Sequence, residues 1–299
     1  MRIGYPCINR TLSCQGNKTF RLKSYSKERF IDTVENNLSC LKEMLEFNLR
    51  HNILFFRISS DIIPFASHPV QTVDWKHHFK DFFVEIGSFI KKNGMRISMH
   101  PDQFIVLNTK KDDVLQRSIQ ELEYHATFLD ALGLDRTAKI QLHVGGVYGD
   151  KQESMNRFVK HFDLVSKNVK QRLVIENDER SYMVKDCIFI SDQINIAVLL
   201  DVFHHQLYNN GESVQDVLRQ TKKTWKHSDG IPMIDYSSQE KNQKIGKHAQ
   251  HLDRIDFSRF LKDSKDFDVD VMLEIKDKEK SAIEAIAAAE NDPRFFQIK

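Results

Sequence analysis

The sequence has few of the residues that mark secreted or membrane-spanning proteins. It contains four cysteines, Cys7, Cys14, Cys40 and Cys187, with no Cys-x-x-Cys spacing. Cysteine at this density does not indicate a disulfide-rich scaffold, and we expect these thiols to be reduced. No apolar stretch approaches the roughly 20 residues that a transmembrane helix needs, and the apparent first strand begins at once, at Arg2. We therefore expect a cytoplasmic protein with no membrane partner and no signal peptide.

Neither sign of charge dominates. Lys and Arg total 44 and Asp and Glu total 42, which gives a net charge of +2. This balance neither requires nor excludes a nucleic-acid partner, because binding depends on whether basic residues cluster. Basic and aromatic side chains alternate between Arg10 and Tyr25, and again between Lys222 and His227. This interleaving suits phosphate neutralisation and base stacking, although a solvated charged surface explains each segment equally well by itself.

No glycine-rich phosphate turn follows any apparent strand, which disfavours an open doubly wound sheet. Short apolar runs instead alternate with segments of helical spacing, such as Phe30, Val34, Leu38 and Leu41. The runs are marked by Ile3, Leu54, Ile97, Ile140, Val174, Val198, Met233 and Met272. Repeated β-then-α units of this kind predict an α/β fold, a (β/α)8 TIM barrel, as a single domain over residues 1–299.

The apolar runs end on, or just before, side chains that bind metal ions. If these positions were polar only because strands end at the solvent, they would also include residues such as Ser, Asn, Lys and Gly. Two further histidines lie in loops, and for one of them, His68, a role as a loop cap is an equally good explanation. The resulting candidate ligands are His68, His100, His143, Glu176, Asp201, His204, Asp235, His248 and Glu274. Because active sites of such barrels lie at the carboxyl ends of the strands, we expect these side chains to converge.

One ion of four to six ligands would use about half of this set. The set therefore predicts two or three divalent ions bridged by carboxylates. Imidazole and carboxylate together suit Zn²⁺, Mn²⁺ or Fe²⁺, and sites richer in oxygen favour Mn²⁺ or Mg²⁺. Closely spaced ions lower the pKa of a bound water and clamp phosphate oxygens, which favours phosphodiester hydrolysis. A sugar isomerase or epimerase on the same barrel, with a smaller metal set, is the alternative.

Motifs spread over essentially the whole chain resemble those of the UV damage endonucleases. They are Arg2-Ile-Gly-Tyr-Pro6 with Asn9-Arg10, Phe56-Arg-Ile-Ser-Ser-Asp-Ile-Ile-Pro64, Ser67-His-Pro69, Met99-His-Pro-Asp-Gln103, Leu142-His-Val-Gly-Gly146, Ile175-Glu-Asn-Asp-Glu179, Leu200-Asp-Val-Phe-His-His205, Tyr236-Ser-Ser238 and Met272-Leu-Glu-Ile-Lys-Asp277.

This resemblance implies a TIM barrel related to endonuclease IV, with up to three divalent ions. Mn²⁺ is the first expectation, and Mg²⁺, Co²⁺ or Zn²⁺ are alternatives. It implies a DNA repair enzyme that nicks damaged double-stranded DNA immediately 5′ to cyclobutane pyrimidine dimers, 6-4 photoproducts and abasic sites, without an obligate protein partner. The nine candidate ligands fall on the family's metal positions, with catalytic roles for Glu176, His100, His143 and Glu274. Positions that probe the duplex or line the lesion pocket are Tyr5, Asn9, Gln103 and Phe104.

The chain departs from the family's pattern at two places. Many relatives carry Lys-x-His before the Tyr-Ser motif, where this chain has Met233 and Asp235. A carboxylated lysine ligand is therefore impossible at position 233, and Asp235 offers oxygen where imidazole is common. Phe104 stands where many relatives have Tyr, and keeps the stacking surface without the hydroxyl. A non-catalytic lesion-binding protein with a structural metal is a further alternative, which a chelator-sensitive nick would exclude.

Overall fold

A computed structural model describes residues 1–297, so the last two residues of the predicted domain lie outside the described part. Eight parallel strands pair in chain order, and the first closes against the last. The predicted TIM barrel is confirmed. The strands are β1 (Ile3–Pro6), β2 (Phe55–Ile58), β3 (Arg96–Met99), β4 (Lys139–His143), β5 (Leu173–Glu176), β6 (Ala197–Asp201), β7 (Met233–Tyr236) and β8 (Asp270–Leu273).

Helices cover the outside of the barrel. Their bounds are α1 (Lys27–Arg50), α2 (Trp75–His78), α3 (Lys80–Lys92), α4 (Asp112–Ala131), α5 (Lys151–Phe162), α6 (Lys167–Arg172), α7 (Val184–Ile194), α8 (Val202–Leu207), α9 (Val214–Lys222), α10 (Arg254–Asp263) and α11 (Glu279–Ala289). No helix within residues 1–297 is long and apolar enough to cross a membrane.

Local sequence signals account for the helix ends. Ser26 caps α1, with its side chain accepting a hydrogen bond from the Arg29 N–H. The helical spacing that continues from Phe158 to Val169 is divided in the structure, because α5 ends at Phe162 and Ser166 caps a separate helix α6. Helix α8 begins directly after β6, with Asp201 as its cap, and the apolar pattern alone did not predict it.

Alternate strand residues point into the barrel and form three layers. The base layer, at the amino ends of the strands, contains buried Arg96, Lys139 and Asp270. The apolar layer above it contains Phe55, Val174, Ala197, Leu199, Met233 and Met272. The polar layer, at the carboxyl ends, contains Arg57, Gln141, Glu176, Asp201 and Asp235, all buried. The apolar layer thus separates the polar layer from the base of the barrel.

The expectation of four reduced cysteines is wrong for two of them. Cys14 and Cys40 form a disulfide, which ties the loop after β1 to the middle of α1. The spacing of the cysteines does not predict this pair, because the contact depends on the loop folding back over the helix. Cys7 and Cys187 are free.

The ion pair between Arg96 and Asp270 is expected to stabilise the base layer. Arg96 Nη1 lies 3.1 Å from Asp270 Oδ2, and the Asp270 side chain is fully buried. Asp270→Asn should lower the free energy of unfolding by about 3–5 kcal/mol, because it leaves the Arg96 cation buried without its counter-ion. Urea denaturation measures this loss. Asp268→Asn is the matched control, since Asp268 is about half exposed and pairs with the terminal amine; equal losses in both variants would contradict the assignment.

Candidate metal centre

Glu176 lies at the centre of the cluster at the carboxyl ends of the strands. It is the last residue of β5 and is 1% exposed. Its Oε1 lies 2.8 Å from His100 Nε2 and 3.0 Å from His143 Nε2. The strand register pairs His143 with Glu176, which explains why their side chains meet. Ligand atoms of His100, His143 and Glu176 lie within 4.8 Å of one another, a spacing that suits one ion.

A second half of the cluster lies around Asp201 and His204. Asp201 Oδ1 accepts a hydrogen bond of 2.7 Å from the His204 N–H, and Oδ2 lies 3.2 Å from His204 Nδ1. This arrangement follows from Asp201 capping α8, so the carboxylate and imidazole are brought together as the sequence predicted. Ligand oxygens of Glu176, Asp201 and Asp235 also lie within 4.8 Å of one another.

His248 and Glu274 complete this half of the cluster. The His248 ring lies 5.8 Å from the His204 ring, and His248 Nδ1 lies 4.0 Å from Glu274 Oε2. The loop that carries His248 is held by an antiparallel bridge to Gln239. All the strand-end candidates and His248 therefore share one pocket.

His68 is placed differently from the other candidates. It lies in the loop after β2 and is exposed. Its Nδ1 accepts a hydrogen bond of 3.0 Å from the Val70 N–H, which is the behaviour of a loop cap. None of the contacts recorded among residues 1–297 joins His68 to the cluster, and its role as a ligand stays a prediction.

Backbone carbonyls hold three of the histidines in one orientation. The Nδ1 atoms of His100, His204 and His248 lie 2.8, 3.2 and 3.0 Å from the carbonyl oxygens of Pro101, Asn177 and Glu274, respectively. A proton on each Nδ1 would donate to these carbonyls and leave Nε2 with a lone pair facing the pocket. Such support is typical of metal-binding imidazoles. The donor set of neutral imidazoles and carboxylates therefore fits divalent ions.

The sequence pattern did not predict two residues of the cluster, Arg57 and Gln141. Arg57 Nη2 donates to both oxygens of Asp235, at 2.7 and 2.8 Å, and to Gln141 Oε1. Arg57 Nη1 donates to Glu274 Oε1 at 2.5 Å. Gln141 Nε2 in turn donates to Asp235 Oδ2 at 2.6 Å and to Glu176. The two-residue period of a strand could have found Gln141, which precedes the inward-facing His143 by two positions.

The close carboxylates and imidazoles perturb one another. Burial raises the pKa of the Asp201 carboxyl to about 7, against the opposing effect of His204. Burial disfavours a charged His143, yet the adjacent Glu176 carboxylate raises the pKa of His143 to about 9. The same two histidines that contact Glu176 hold its pKa well below its usual value despite its burial. Without an ion, Asp201 and His143 therefore bind protons more readily than usual, and an ion bound to them would have to displace these protons.

A cleft of about 560 Å³ opens over the cluster. His100, His143 and Glu274 lie at its floor, and Gln103, Phe104, Lys276 and Lys278 contribute to its walls. Phe104 is 73% exposed, which is unusual for an aromatic side chain with no protein partner. Gln103 and Phe104 therefore line the cleft beside the cluster, and their contact with a duplex stays a prediction.

Tyr5 and Asn9 are buried in this structure. The Asn9 amide donates to the Tyr5 hydroxyl at 3.0 Å, and that hydroxyl donates to Asn48 Oδ1 at 2.7 Å. Asn9 Oδ1 also accepts from two backbone N–H groups of its own loop. These contacts fix the start of the loop after β1, and a direct role in DNA contact stays a prediction for both residues.

The metal-free protein should lose stability as the pH rises above neutrality. The folded-state pKa of His143, about 9, exceeds its ordinary value of 6.5. The protonated His143–Glu176 pair therefore contributes fully below pH 6.5, and the contribution is lost as the pH rises through 9. Melting temperatures measured in EDTA between pH 6.5 and 9.5 should fall, and His143→Gln should fall less. A parallel fall in both proteins would contradict this origin.

Comparison with known proteins adds independent information. The family model described as UV-endonuclease UvdE matches residues 1–293. A UV DNA damage endonuclease of Clostridium perfringens is 43% identical over 288 residues, which cover 96% of this chain and 70% of that protein. The crystal structure of SacUVDE is 47% identical and superimposes with a TM-score of 0.93, covering 97% of this chain and 98% of that one.

More distant structures share the fold alone. Endonuclease IV from Thermus thermophilus has a TM-score of 0.56 at 16% identity, covering 83% of this chain and 93% of that one. D-psicose 3-epimerase from Clostridium cellulolyticum has a TM-score of 0.55 at 15% identity, covering 84% of this chain and 91% of that one. Similar barrels thus occur in nucleases and in sugar epimerases.

Proposed function

Because the chain belongs to the UvdE family of UV endonucleases, we propose that it is a DNA repair hydrolase that uses divalent ions to nick double-stranded DNA immediately 5′ to UV lesions. Cyclobutane pyrimidine dimers and 6-4 photoproducts are the proposed substrates, with abasic sites as a further class. The observation that supports metal-dependent hydrolysis is the convergence of the His100–His143–Glu176 group on the Asp201–His204 group beneath an open cleft.

Divalent ions held by this cluster, with Mn²⁺ as the first expectation, would lower the pKa of a bound water and stabilise the leaving 3′ oxygen. Glu176 belongs to both groups of close ligand atoms, one with His100 and His143 and one with Asp201 and Asp235, so its carboxylate would help to hold an ion in either group. The backbone carbonyls that fix His100, His204 and His248 keep each Nε2 oriented before any ion arrives. This preorganisation removes the need to rearrange ligands during the reaction.

The walls of the cleft suit a damaged duplex. Lys276 and Lys278 place ammonium groups beside the cluster, where a scissile phosphate would lie. Gln103 and the exposed Phe104 ring extend from the loop after β3 and can enter the base stack beside a lesion. A damaged pair is poorly stacked, so extruding it costs less than extruding a normal pair. Selectivity would then arise partly from the DNA itself.

Removing the central carboxylate should abolish nicking. Glu176→Gln keeps the shape of the side chain but removes the negative charge that would bind the ions. His100→Ala removes one imidazole. Each variant should lower the rate at least about 100-fold on a duplex with a single thymine dimer in Mn²⁺. Denaturing electrophoresis maps the cut and should place it immediately 5′ to the dimer.

Glu284→Gln is the matched control for this experiment, because Glu284 is exposed on α11, which packs outside the barrel. The control should cut at the normal rate, and EDTA should stop it. A retained metal-dependent rate in Glu176→Gln would remove Glu176 from the metal set. Turnover of ketoses with no cut in the irradiated duplex would favour the epimerase alternative.

The Phe104 ring should control selectivity rather than the chemical step. Phe104→Ala removes an exposed ring, so the melting temperature should not change, whereas base stacking worth about 1–3 kcal/mol would be lost. Binding to a dimer-containing duplex should weaken about 10-fold or more, with little change for undamaged DNA. Fluorescence anisotropy on both duplexes measures this. Phe104→Tyr should retain binding, and equal weakening on both duplexes would contradict a lesion-specific role.

A further inference from the structure

We propose that the Arg57 guanidinium is a permanent cation of the metal centre, with Asp235 as its counter-ion, so that the centre binds two divalent ions rather than three. This inference rests on the proposed metal-dependent function and specifies how this chain fills that site. The family resemblance implies a ligand role for Asp235, which this proposal replaces by a counter-ion role, and it assigns no role to Arg57.

The hydrogen bonds of Asp235 support this role. Its two oxygens receive N–H groups from Arg57 Nη2, at 2.7 and 2.8 Å, and Oδ2 receives a further one from Gln141 Nε2, at 2.6 Å. Asp235 is fully buried and Arg57 is 2% exposed. A carboxylate that accepts these donors is already satisfied as an anion, so an ion would have to displace the guanidinium from it.

Glu176 and Asp201 differ from Asp235 in the donors that face them. Oε1 of Glu176 contacts the ring nitrogens of His100 and His143, which are themselves ligands and can turn their lone pairs to a shared ion. Asp201 lies beside His204 and receives its backbone N–H, and neither contact involves a guanidinium. A guanidinium carries no lone pair and keeps its proton at any ordinary pH, so it cannot share an ion with Asp235. The short distances among Glu176, Asp201 and Asp235 therefore do not by themselves make Asp235 a ligand.

The surroundings of Asp235 on β7 point the same way. Met233, two residues earlier and on the same face of the strand, belongs to the apolar layer. The side chain beneath Asp235 therefore offers no oxygen or nitrogen to an ion. Arg57 Nη1 also reaches Glu274 Oε1, so the guanidinium spans two strand ends and fills the space between their carboxylates.

The charge balance of the pocket agrees with two ions. Glu176, Asp201, Asp235 and Glu274 carry four negative charges when ionised. Arg57 and two divalent ions supply five positive charges, and the single negative charge of a phosphodiester brings the total to zero. Within this set of side chains, a third ion would add two positive charges without a further carboxylate to balance them.

Metal counting tests the proposal on the full chain. The protein is stripped with EDTA, saturated with Mn²⁺, desalted, and counted by elemental analysis and by native mass spectrometry. The decisive variant is Arg57→Met/Asp235→Leu, which replaces the ion pair by apolar side chains of similar size. We expect about two ions per chain in the wild type and in this double variant. Asp201→Asn, which removes a ligand under either scheme, should lose one.

Two results of the metal count overturn the proposal. A wild-type count of one or of three overturns the stoichiometry, and the loss of an ion in the double variant would make Asp235 a ligand. A count of zero with no chelator-sensitive nicking would overturn the proposed function itself. Melting temperatures of the metal-free protein then still test the Arg57–Asp235 pair, so that failure of this proposal can be distinguished from failure of the proposed function.

Without metal, a counter-ion and a metal ligand have opposite effects on stability. Asp235→Asn should lower the melting temperature in EDTA by on the order of 10 °C, because it leaves the buried Arg57 cation with Glu274 as its remaining ion-pair partner. The double variant should recover most of that loss. Asp201→Asn should leave the melting temperature unchanged or raise it, because it relieves repulsion among carboxylates. An unchanged or raised value for Asp235→Asn would overturn the counter-ion role.

Discussion

Mutual repulsion among four close carboxylates is the constraint on which the rest of the site depends. Glu176, Asp201 and Asp235 are buried at the carboxyl end of the barrel, where little water can screen them, and the partly exposed Glu274 lies beside them. The fold tolerates this arrangement because every carboxylate faces a cation or a hydrogen-bond donor of another strand. Arg57 donates hydrogen bonds to Asp235 and Glu274, and Gln141 donates one to Glu176. A protonated His143 offsets part of the remaining negative charge. The proposed divalent ions would balance negative charge that these contacts leave.

Much of the fold and of the site followed from the sequence for simple geometric reasons. Parallel strands covered on both faces are short continuous apolar runs, and their carboxyl ends face one side of a closed barrel. His100, His143 and Glu176 could be grouped from that rule alone. Leu54, the marker of the second strand, precedes β2 by one residue, while the other markers lie within their strands.

Other features depend on contacts between distant segments, which periodicity does not encode. The Cys14–Cys40 disulfide, the hydrogen bonds that bury Tyr5 and Asn9, and the exposed position of His68 all arise from how loops fold over the barrel. Arg57 was overlooked for a different reason. An arginine inside a strand is expected to point outward, and here the negative charges of Asp235, Glu274 and Glu176 stabilise it inside despite its burial.

The apolar layer beneath the candidate metal centre would also affect how quickly the proposed ions exchange. Met233, Met272 and Leu199 fill the barrel directly below the polar layer with apolar side chains. Within the described residues, the open route to the cluster is therefore the cleft beside Phe104. A duplex bound across that cleft would block the same route. The ions could then leave only after the DNA had been released.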